Sequence, residues 1–184
     1  MKFIILSGSL RKESFTTKLA KGFIEHVPAP HEATIIDISN LPLINEDLEI
    51  DLPQTVSDLH TSIKAADGVI FATPEYNRSY SPVLKNAIDW GSRPDGENAW
   101  EGMPAGVVGS TLYNLGTFGA QQHLRQVLMY LDMPTLQQPE FYLEKAAEKF
   151  DEAGNLIDEH TKEKIDEFWA SFIDWNQRNK RTQS

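Results

Sequence analysis

The 184-residue sequence contains no cysteine, which excludes disulfide bonds, thiolate metal sites and cysteine catalysis. No continuous apolar run approaches the ~18 residues that a membrane-spanning helix needs, so we expect no membrane partner. The N-terminal run MKFIILSGS is too short for a signal peptide and is typical of a first strand. We therefore expect a cytoplasmic protein with a single domain over residues 1–184.

Positive charge is also scarce, because the formal net charge is −10 at pH 7. A chain this acidic repels nucleic acid at long range, which argues against a nucleic-acid partner. An anionic ligand would need a local exception to this charge. The first 25 residues contain one, formed by Lys2, Arg11, Lys12, Lys18 and Lys21.

Short apolar runs alternate with helical patterns along the chain. The predicted strands lie at 2–7, 32–38, 67–73 and 103–110, with a short fifth strand near 135–137. Between and after them, apolar residues recur at the three- to four-residue spacing of amphipathic helices. This alternation predicts an α/β protein with a parallel sheet and helices on both faces. The length favours an open sheet over a closed barrel of about 250 residues.

Neither common glycine fingerprint for phosphate, G-x-G-x-x-G or G-x-x-x-x-G-K-[ST], is present. Instead, the first strand leads into a helix through SGSLRKES. The hydroxyls of Ser9 and Ser14, the free N–H groups of the helix and the guanidinium of Arg11 suit a phosphate monoester. A pyrophosphate normally needs a tighter glycine turn. The alternative is a serine-rich turn with a solvated arginine.

The segment TPEYNRSYSP follows the third predicted strand. Pro74 disfavours helix here, and the next helix begins only after the good N-cap residue Ser81. Tyr76 can lie against a flat ring, while Asn77 and backbone N–H groups can bond the polar edge of that ring. Glu75 is interpreted as an exposed carboxylate rather than a general base. The alternative is an ordinary surface loop.

The segment GSTLYNLGTFGAQ follows the fourth predicted strand, and its three glycines make it either flexible or closely packed. No catalytic constellation emerges elsewhere. None of the five histidines forms an H-x-x-x-H pair, and G-x-S-x-G is absent, so we expect neither a metal site nor a hydrolase nucleophile. A pocket without a catalytic set either only binds or leaves the chemistry to a cofactor.

The segments GSLRKESF, LPLINED (41–47) and TPEYNRSYSPVLKNAIDWGSRP (73–94) closely resemble the NAD(P)H-dependent FMN reductase family of flavodoxin-like proteins, which includes bacterial quinone, chromate and azo-dye reductases. The resemblance covers nearly the whole chain and implies a five-stranded sheet in the order 2-1-3-4-5. It also implies FMN as cofactor and NADPH or NADH as co-substrate. In the family, hydride passes from the nicotinamide to flavin N5 and then to a small acceptor, and members are homodimers or homotetramers.

The resemblance also assigns cofactor residues by motif position. The FMN phosphate would be held by Ser9, Arg11, Ser14, Phe15 and Thr16. The isoalloxazine would be lined, largely through backbone groups, by Pro74, Glu75, Tyr76 and Asn77. The pyrimidine edge would be closed by Ser110, Asn114 and Gly116.

The chain departs from the family pattern at Tyr113 and Phe118, where relatives often have small residues. These two side chains can cover the flavin or narrow the acceptor and nicotinamide pocket. Arg78 and Arg93 are candidates for gripping a nucleotide phosphate, although either can be a solvated arginine.

Two other functions stay open at this point. A flavodoxin-like electron carrier, reduced by a partner protein, would suit the acidic composition. A flavin-free domain of the same fold would use Tyr113 and Phe118 to fill its pocket.

Four residues that flank the site can be interpreted in two ways, as part of an isologous dimer interface or as local packing within the chain. They are Trp90, Trp100, Met129 and Tyr130.

Overall fold

A five-stranded parallel sheet organises the computed structural model, which describes residues 1–181. Its strands are β1 (Lys2–Ser7), β2 (Glu32–Ile36), β3 (Gly68–Thr73), β4 (Ala105–Ser110) and β5 (Phe141–Leu143). The α-helices within these residues are α1 (Phe15–Glu25), α2 (Gln54–Lys64), α3 (Pro82–Gly91), α4 (Phe118–Tyr130) and α5 (Glu159–Arg178). The strand order β2-β1-β3-β4-β5 confirms the predicted sheet.

The sheet is covered on both faces because its strands alternate apolar side chains between two cores. In β1, Ile4 and Leu6 pack with residues of α2, α3 and α4, whereas Phe3 and Ile5 pack with residues of α1 and α5. Burying each such side chain stabilises the fold by about 1.5–3 kcal/mol, so this alternation fixes which helices lie on which face.

The helices that follow β1 and β3 begin at serine N-caps, which confirms the predicted N-cap Ser81. Ser14 Oγ accepts the N–H of Thr17 at 3.2 Å, and Ser81 Oγ accepts the N–H of Leu84 at 3.2 Å. Pro82 occupies the first turn of α3, where its missing N–H costs no helical hydrogen bond. Across residues 1–181, none of the helices has the length and apolarity that crossing a membrane requires.

The fifth strand is displaced from its predicted position near 135–137. Thr135 makes only an isolated parallel bridge to Ala105, and Leu136 donates its N–H to Ala105 O at 2.8 Å. Pairing with β4 resumes at Phe141, opposite Val108. Pro139 lies between the two paired segments and has no N–H to contribute, which separates the bridge from the strand.

Two of the four residues considered for a dimer interface belong to the core of the chain itself. Trp90 and Trp100 are both 0% exposed. Their indole N–H groups donate to Pro42 O at 2.8 Å and to Ile88 O at 2.9 Å, respectively. The interface interpretation is therefore wrong for these two residues, because their apolar surface and their polar atom are both satisfied within the chain.

Candidate functional site

Three loops leave neighbouring strands at the carboxyl edge of the sheet, because β1, β3 and β4 lie side by side. Gly8, just after β1, donates its N–H to Ala72 O of β3 at 2.8 Å. A Cβ on Gly8 would lie 2.5 Å from Ser81 Oγ, so only glycine lets the first loop pack against the start of α3. Thr16 Oγ1 of α1 lies 3.4 Å from Ser110 Oγ at the end of β4. The loops that carry most of the predicted cofactor residues are therefore assembled at one edge.

The first loop presents hydrogen-bond donors at the N-terminus of α1. Ser14 caps this helix by accepting the N–H of Thr17, while the N–H groups of Phe15 and Thr16 have no acceptor within the helix. The first turn of α1 contains no acidic residue. The positive end of the helix dipole is therefore available to an anion, as the monophosphate interpretation requires.

The side chains of this loop divide into two groups. Arg11 is exposed, and its Nη2 donates to a carbonyl of its own loop at 2.7 Å, while Ser9 Oγ accepts the N–H of Arg11 at 3.4 Å. Thr16 is buried, and the ring of Phe15 packs against Phe150 with centroids 6.0 Å apart. Ser9 and Arg11 can thus meet a ligand through their side chains, whereas Phe15 and Thr16 offer their backbone N–H groups.

The second loop contains a tight turn that follows Pro74. Tyr76 and Ser79 exchange both of their backbone hydrogen bonds, at 2.9 and 3.0 Å. Between them, Asn77 and Arg78 have left-handed φ angles of 50° and 66°, the geometry of a type I′ turn. The side chain of Tyr76 is exposed beside this turn. The loop thus combines a flat exposed ring with a rigid backbone.

Glu75 does not have the exposed carboxylate that the sequence suggested. Only 11% of its side-chain surface is exposed. Its Oε1 accepts from Arg78 Nη1 at 3.0 Å, and its Oε2 accepts the N–H of Ala120 in the first turn of α4 at 3.1 Å. The carboxylate is partly buried because the tight turn folds back onto α4, so this side chain joins the second loop to that helix.

The glycines of the third segment serve close packing. A Cβ on Gly109 would fall on Thr117 Oγ1 and would lie 2.6 Å from Thr73 O. Gly116 has a φ of 55°, and a Cβ there would lie 2.5 Å from the Cβ of Tyr142. Of the two interpretations of these glycines, close packing is confirmed at both positions.

The third loop also carries the two aromatic departures from the family pattern. Tyr113 is 77% exposed and Phe118 is 52% exposed, while Asn114 is exposed beside them. The ring of Phe118 lies 5.8 Å from that of Tyr142, centroid to centroid. Burial, together with a hydrogen bond to Glu140, raises the pKa of Tyr142 to about 12, so this phenol stays protonated at neutral pH. The loop therefore offers an apolar, uncharged rim.

Arg93 is held by ion pairs just after the end of α3. It follows α3, a helix of 10 residues that starts at the carboxyl edge, so it lies roughly 15 Å along the helix axis from that edge. Its guanidinium pairs with Glu49 at 2.7 Å, Glu46 at 2.8 Å and Asp95. The hydrogen bond to Glu49 and the nearby carboxylates raise its pKa against a smaller opposing effect of burial. Three carboxylates therefore already compensate the charge of Arg93, and its role in gripping a nucleotide phosphate stays a prediction.

Two supporting residues escaped the sequence analysis. Thr117 is buried with a left-handed φ of 74°. Gln121 Nε2 holds it by donating to Thr117 Oγ1 at 3.0 Å, and also donates to Phe141 O of β5 at 2.8 Å. The sequence carries no signal for Thr117, because β-branched residues are among the least expected in left-handed backbone.

The assembled edge fits FMN in its donor chemistry. One end supplies helix N–H groups, a hydroxyl and the exposed guanidinium of Arg11 for a phosphate dianion. The other end supplies an exposed aromatic ring and a rigid turn whose backbone can face a flat heterocycle. Among residues 1–181, no group of three or more His, Asp or Glu side chains could hold a metal ion.

Comparison with known proteins bears directly on this fit. The family model described as NADPH-dependent FMN reductase matches residues 1–148. A quinone reductase of Pseudomonas putida is 44% identical over 177 residues, covering 96% of this chain and 95% of that protein. An NADPH:quinone oxidoreductase of Arabidopsis thaliana is 46% identical over 168 residues, covering 87% of this chain and 84% of that protein.

A solved structure extends the similarity to three dimensions. FerB, a flavoenzyme NAD(P)H:(acceptor) oxidoreductase from Paracoccus denitrificans, superposes with a TM-score of 0.92 at 36% identity, covering 98% of this chain and 99% of its own. Motifs, strand order and sequence identity agree along nearly the whole length. The chain therefore belongs to the NADPH-dependent FMN reductase family, as its motifs predict.

Proposed function

We propose that this protein is an FMN-dependent oxidoreductase that oxidises NADPH or NADH and reduces quinone-like acceptors; azo dyes and metal oxyanions are further candidates. The observation that carries the proposal is the meeting, at one sheet edge, of an anion-binding helix terminus and the tight turn of the P-E-Y-N block. Relatives named quinone reductase and NADPH:quinone oxidoreductase support the acceptor class. Bound FMN would supply the hydride chemistry, which explains why no acid–base set is needed.

The protein's own contribution is binding and orientation. Arg11, Ser9 and the first N–H groups of α1 would hold the phosphate, with Ser14 fixing the start of that helix. The backbone from Pro74 to Asn77 would line the ring. Ser110, Asn114 and Gly116 would close its pyrimidine edge. On these assignments the ring would lie between the backbone of the second loop and the third loop.

The exposed aromatic residues of the third loop suit an acceptor with an apolar ring. Tyr113, Phe118, Leu112 and Leu115 are all exposed along this short segment. Contact with a quinone-like ring would remove the apolar surface of these side chains from water, and this favours binding of the ring. We propose that Tyr113 and Phe118 narrow the acceptor and nicotinamide pocket. Arg78, which is 72% exposed, remains a candidate for a nucleotide phosphate.

The two alternative functions make different predictions. A flavin-free domain would require Tyr113 and Phe118 to fill the pocket, but both side chains are largely exposed. An electron carrier would accept electrons from a partner protein but would not be reduced by a nicotinamide. The acidic composition, with a net charge of −10, is the one feature that suits the carrier.

Anaerobic mixing of the FMN-loaded protein with NADPH or NADH tests the proposal. We expect bleaching of the flavin absorbance near its visible maximum, followed by reoxidation when a benzoquinone is added. A flavin that stays oxidised with both nucleotides, yet is reduced by a flavodoxin reductase, would establish the carrier instead. Absence of FMN binding at micromolar concentration would rule out both.

We further propose a homodimer or homotetramer. Met129 and Tyr130, at the end of α4, are 75% and 87% exposed, which is unusual for adjacent large apolar residues in a monomer. A monomeric mass by light scattering at working concentration would contradict this. Location in the cytoplasm stays a prediction from the sequence.

A further inference from the structure

We infer that the Glu75 side chain is a positioning device, which locks the tight turn Tyr76–Ser79 onto the N-terminus of α4 and thereby sets the flavin-facing backbone. The inference rests on the proposed placement of the FMN ring against this turn. Its basis is the pair of contacts from one partly buried carboxylate: Oε2 to the N–H of Ala120 at 3.1 Å and Oε1 to Arg78 Nη1 at 3.0 Å.

The turn needs such support because its conformation is intrinsically unfavourable. Asn77 and Arg78 are consecutive non-glycine residues with left-handed φ angles. Such residues persist only where the surroundings hold them, and they cluster at ligand sites. Glu75 precedes the turn, and its bond to the side chain of Arg78 spans the two left-handed positions. The ion pair thus closes the turn from outside, while the Tyr76–Ser79 backbone bonds close it from within.

The helix end is built to receive this carboxylate. The first turn of α4 contains no acidic residue, so Glu75 supplies the negative charge that the dipole favours. Gly119, the second residue of α4, leaves space for the approach. A Cβ there would lie 3.1 Å from Arg78 O and 3.3 Å from Glu75 Oε2. A Cβ at this position would therefore crowd the turn, which would have to shift by a few tenths of an ångström.

The contact also links the two halves of the proposed ring site. Phe118, part of the acceptor rim, begins the same helix whose third residue, Ala120, bonds Glu75. A displaced turn would move the ring-facing backbone relative to this rim. The α1 terminus and Arg11, which would bind the phosphate, make no hydrogen bond to Glu75 among residues 1–181. Loss of Glu75 should therefore weaken recognition of the ring and spare recognition of the phosphate.

Titration of the apoprotein with FMN and with riboflavin, which lacks the phosphate, separates recognition of the ring from recognition of the phosphate. For Glu75→Ala we expect Kd for FMN and Kd for riboflavin to rise by the same factor, about tenfold, with a shifted visible spectrum of the bound flavin. Glu75→Gln should recover much of the affinity and the spectrum, because an amide oxygen still accepts the Ala120 N–H. Rescue by this conservative variant is not expected if the carboxylate touches the ring directly.

Asp158→Ala is the matched control. Asp158 also accepts a backbone N–H at a helix terminus, from Thr161 at 2.9 Å, and pairs with Lys149 at 3.0 Å, but it does so at α5. We expect this variant to lower the melting temperature of the apoprotein while leaving both flavin dissociation constants unchanged. A flavin effect as large as that of Glu75→Ala would show that general destabilisation explains both variants, and would overturn the inference.

Gly119→Ala tests the same contact without removing the carboxylate. Alanine favours helix over glycine, so the apoprotein should melt no lower than the wild type, whereas both flavin affinities should fall together. This variant also decides the question if Glu75→Ala does not fold. Unchanged riboflavin affinity in Gly119→Ala and in every folded Glu75 variant would overturn the inference. The proposed site itself would still stand if Arg11→Ala weakens FMN, and would fail if that variant binds FMN normally.

Discussion

The phosphate-side loop (SGSLRKES) and the ring-side turn (Tyr76–Ser79) use their charged side chains in opposite ways. In the first loop, Arg11 is exposed and its only hydrogen bonds among residues 1–181 lie within the loop, so its charge is free for a ligand. In the second loop, the charged side chain of Glu75 bonds the N–H of Ala120 within the protein, and Asn77 and Arg78 have left-handed φ angles. On the proposed placement of FMN, side chains would face the ligand at one end, whereas at the other end they would hold the backbone that does.

This difference makes substitutions at the two ends distinguishable. A change at the phosphate end should alter affinity for FMN and leave riboflavin unaffected, because only FMN carries the phosphate. A change at the ring end should alter both by the same factor. The ratio of the two dissociation constants therefore reports which end of the site a variant has damaged.

The largest effect on stability is expected from Gly109→Ala, a substitution behind the ring-side loops. The new Cβ would displace Thr117, whose left-handed backbone begins α4, and would crowd Thr73 O. Overpacking of this kind costs about 1–3 kcal/mol of unfolding free energy. Urea denaturation should show this loss, and FMN and riboflavin should weaken together. Weaker FMN binding with normal riboflavin binding would contradict the separation of the two ends.

A smaller effect is expected from changing the backbone preference at Asn77. Asn77→Val should weaken both flavins by about 1–2 kcal/mol, because a β-branched residue opposes a positive φ. Asn77→Gly should bind both flavins within a few-fold of wild type, because glycine adopts this φ freely. If glycine is as damaging as valine, the amide side chain rather than the backbone recognises the ring.

The smallest effect is expected at the acceptor rim. Phe118→Ala should raise KM for a bulky quinone about fivefold, the equivalent of ~1 kcal/mol of lost apolar contact, without changing Kd for FMN. Ile50→Ala is the control, since Ile50 is an exposed apolar residue on the separate loop before α2. Steady-state rates across a panel of quinones check both. A fall in FMN affinity in Phe118→Ala would place this ring against the flavin instead.

The sequence predicts the fold well because its signals are local. Apolar runs mark β1, β3 and β4, and serine N-caps mark α1 and α3, each within a few residues. The fifth strand is misplaced because the segment at 135–137 does run beside β4 but makes only a bridge. Pairing there depends on the neighbouring strand, which local sequence does not show.

The candidate site also contains residues with local sequence signals and residues without them. Ser14 and Arg11 follow from the chemistry of a helix terminus, which a few adjacent residues define. The partly buried carboxylate of Glu75 and the ion pairs of Arg93 could not be predicted, because these partners are distant in sequence: Ala120, Glu46 and Glu49. An ionisable residue in a loop looks exposed until the fold supplies the group that pairs with it.

The most direct test of the two-ended site is the ratio of the riboflavin Kd to the FMN Kd in the wild type and in Arg11→Ala, measured by quenching of flavin fluorescence. A charge-assisted grip on the phosphate is worth about 1.5–3 kcal/mol, so Arg11→Ala should lower this ratio by about tenfold or more. Its riboflavin affinity and its apoprotein melting temperature should stay at wild-type values. An unchanged ratio would mean that the phosphate does not lie at the first loop, and the account of the site would be wrong.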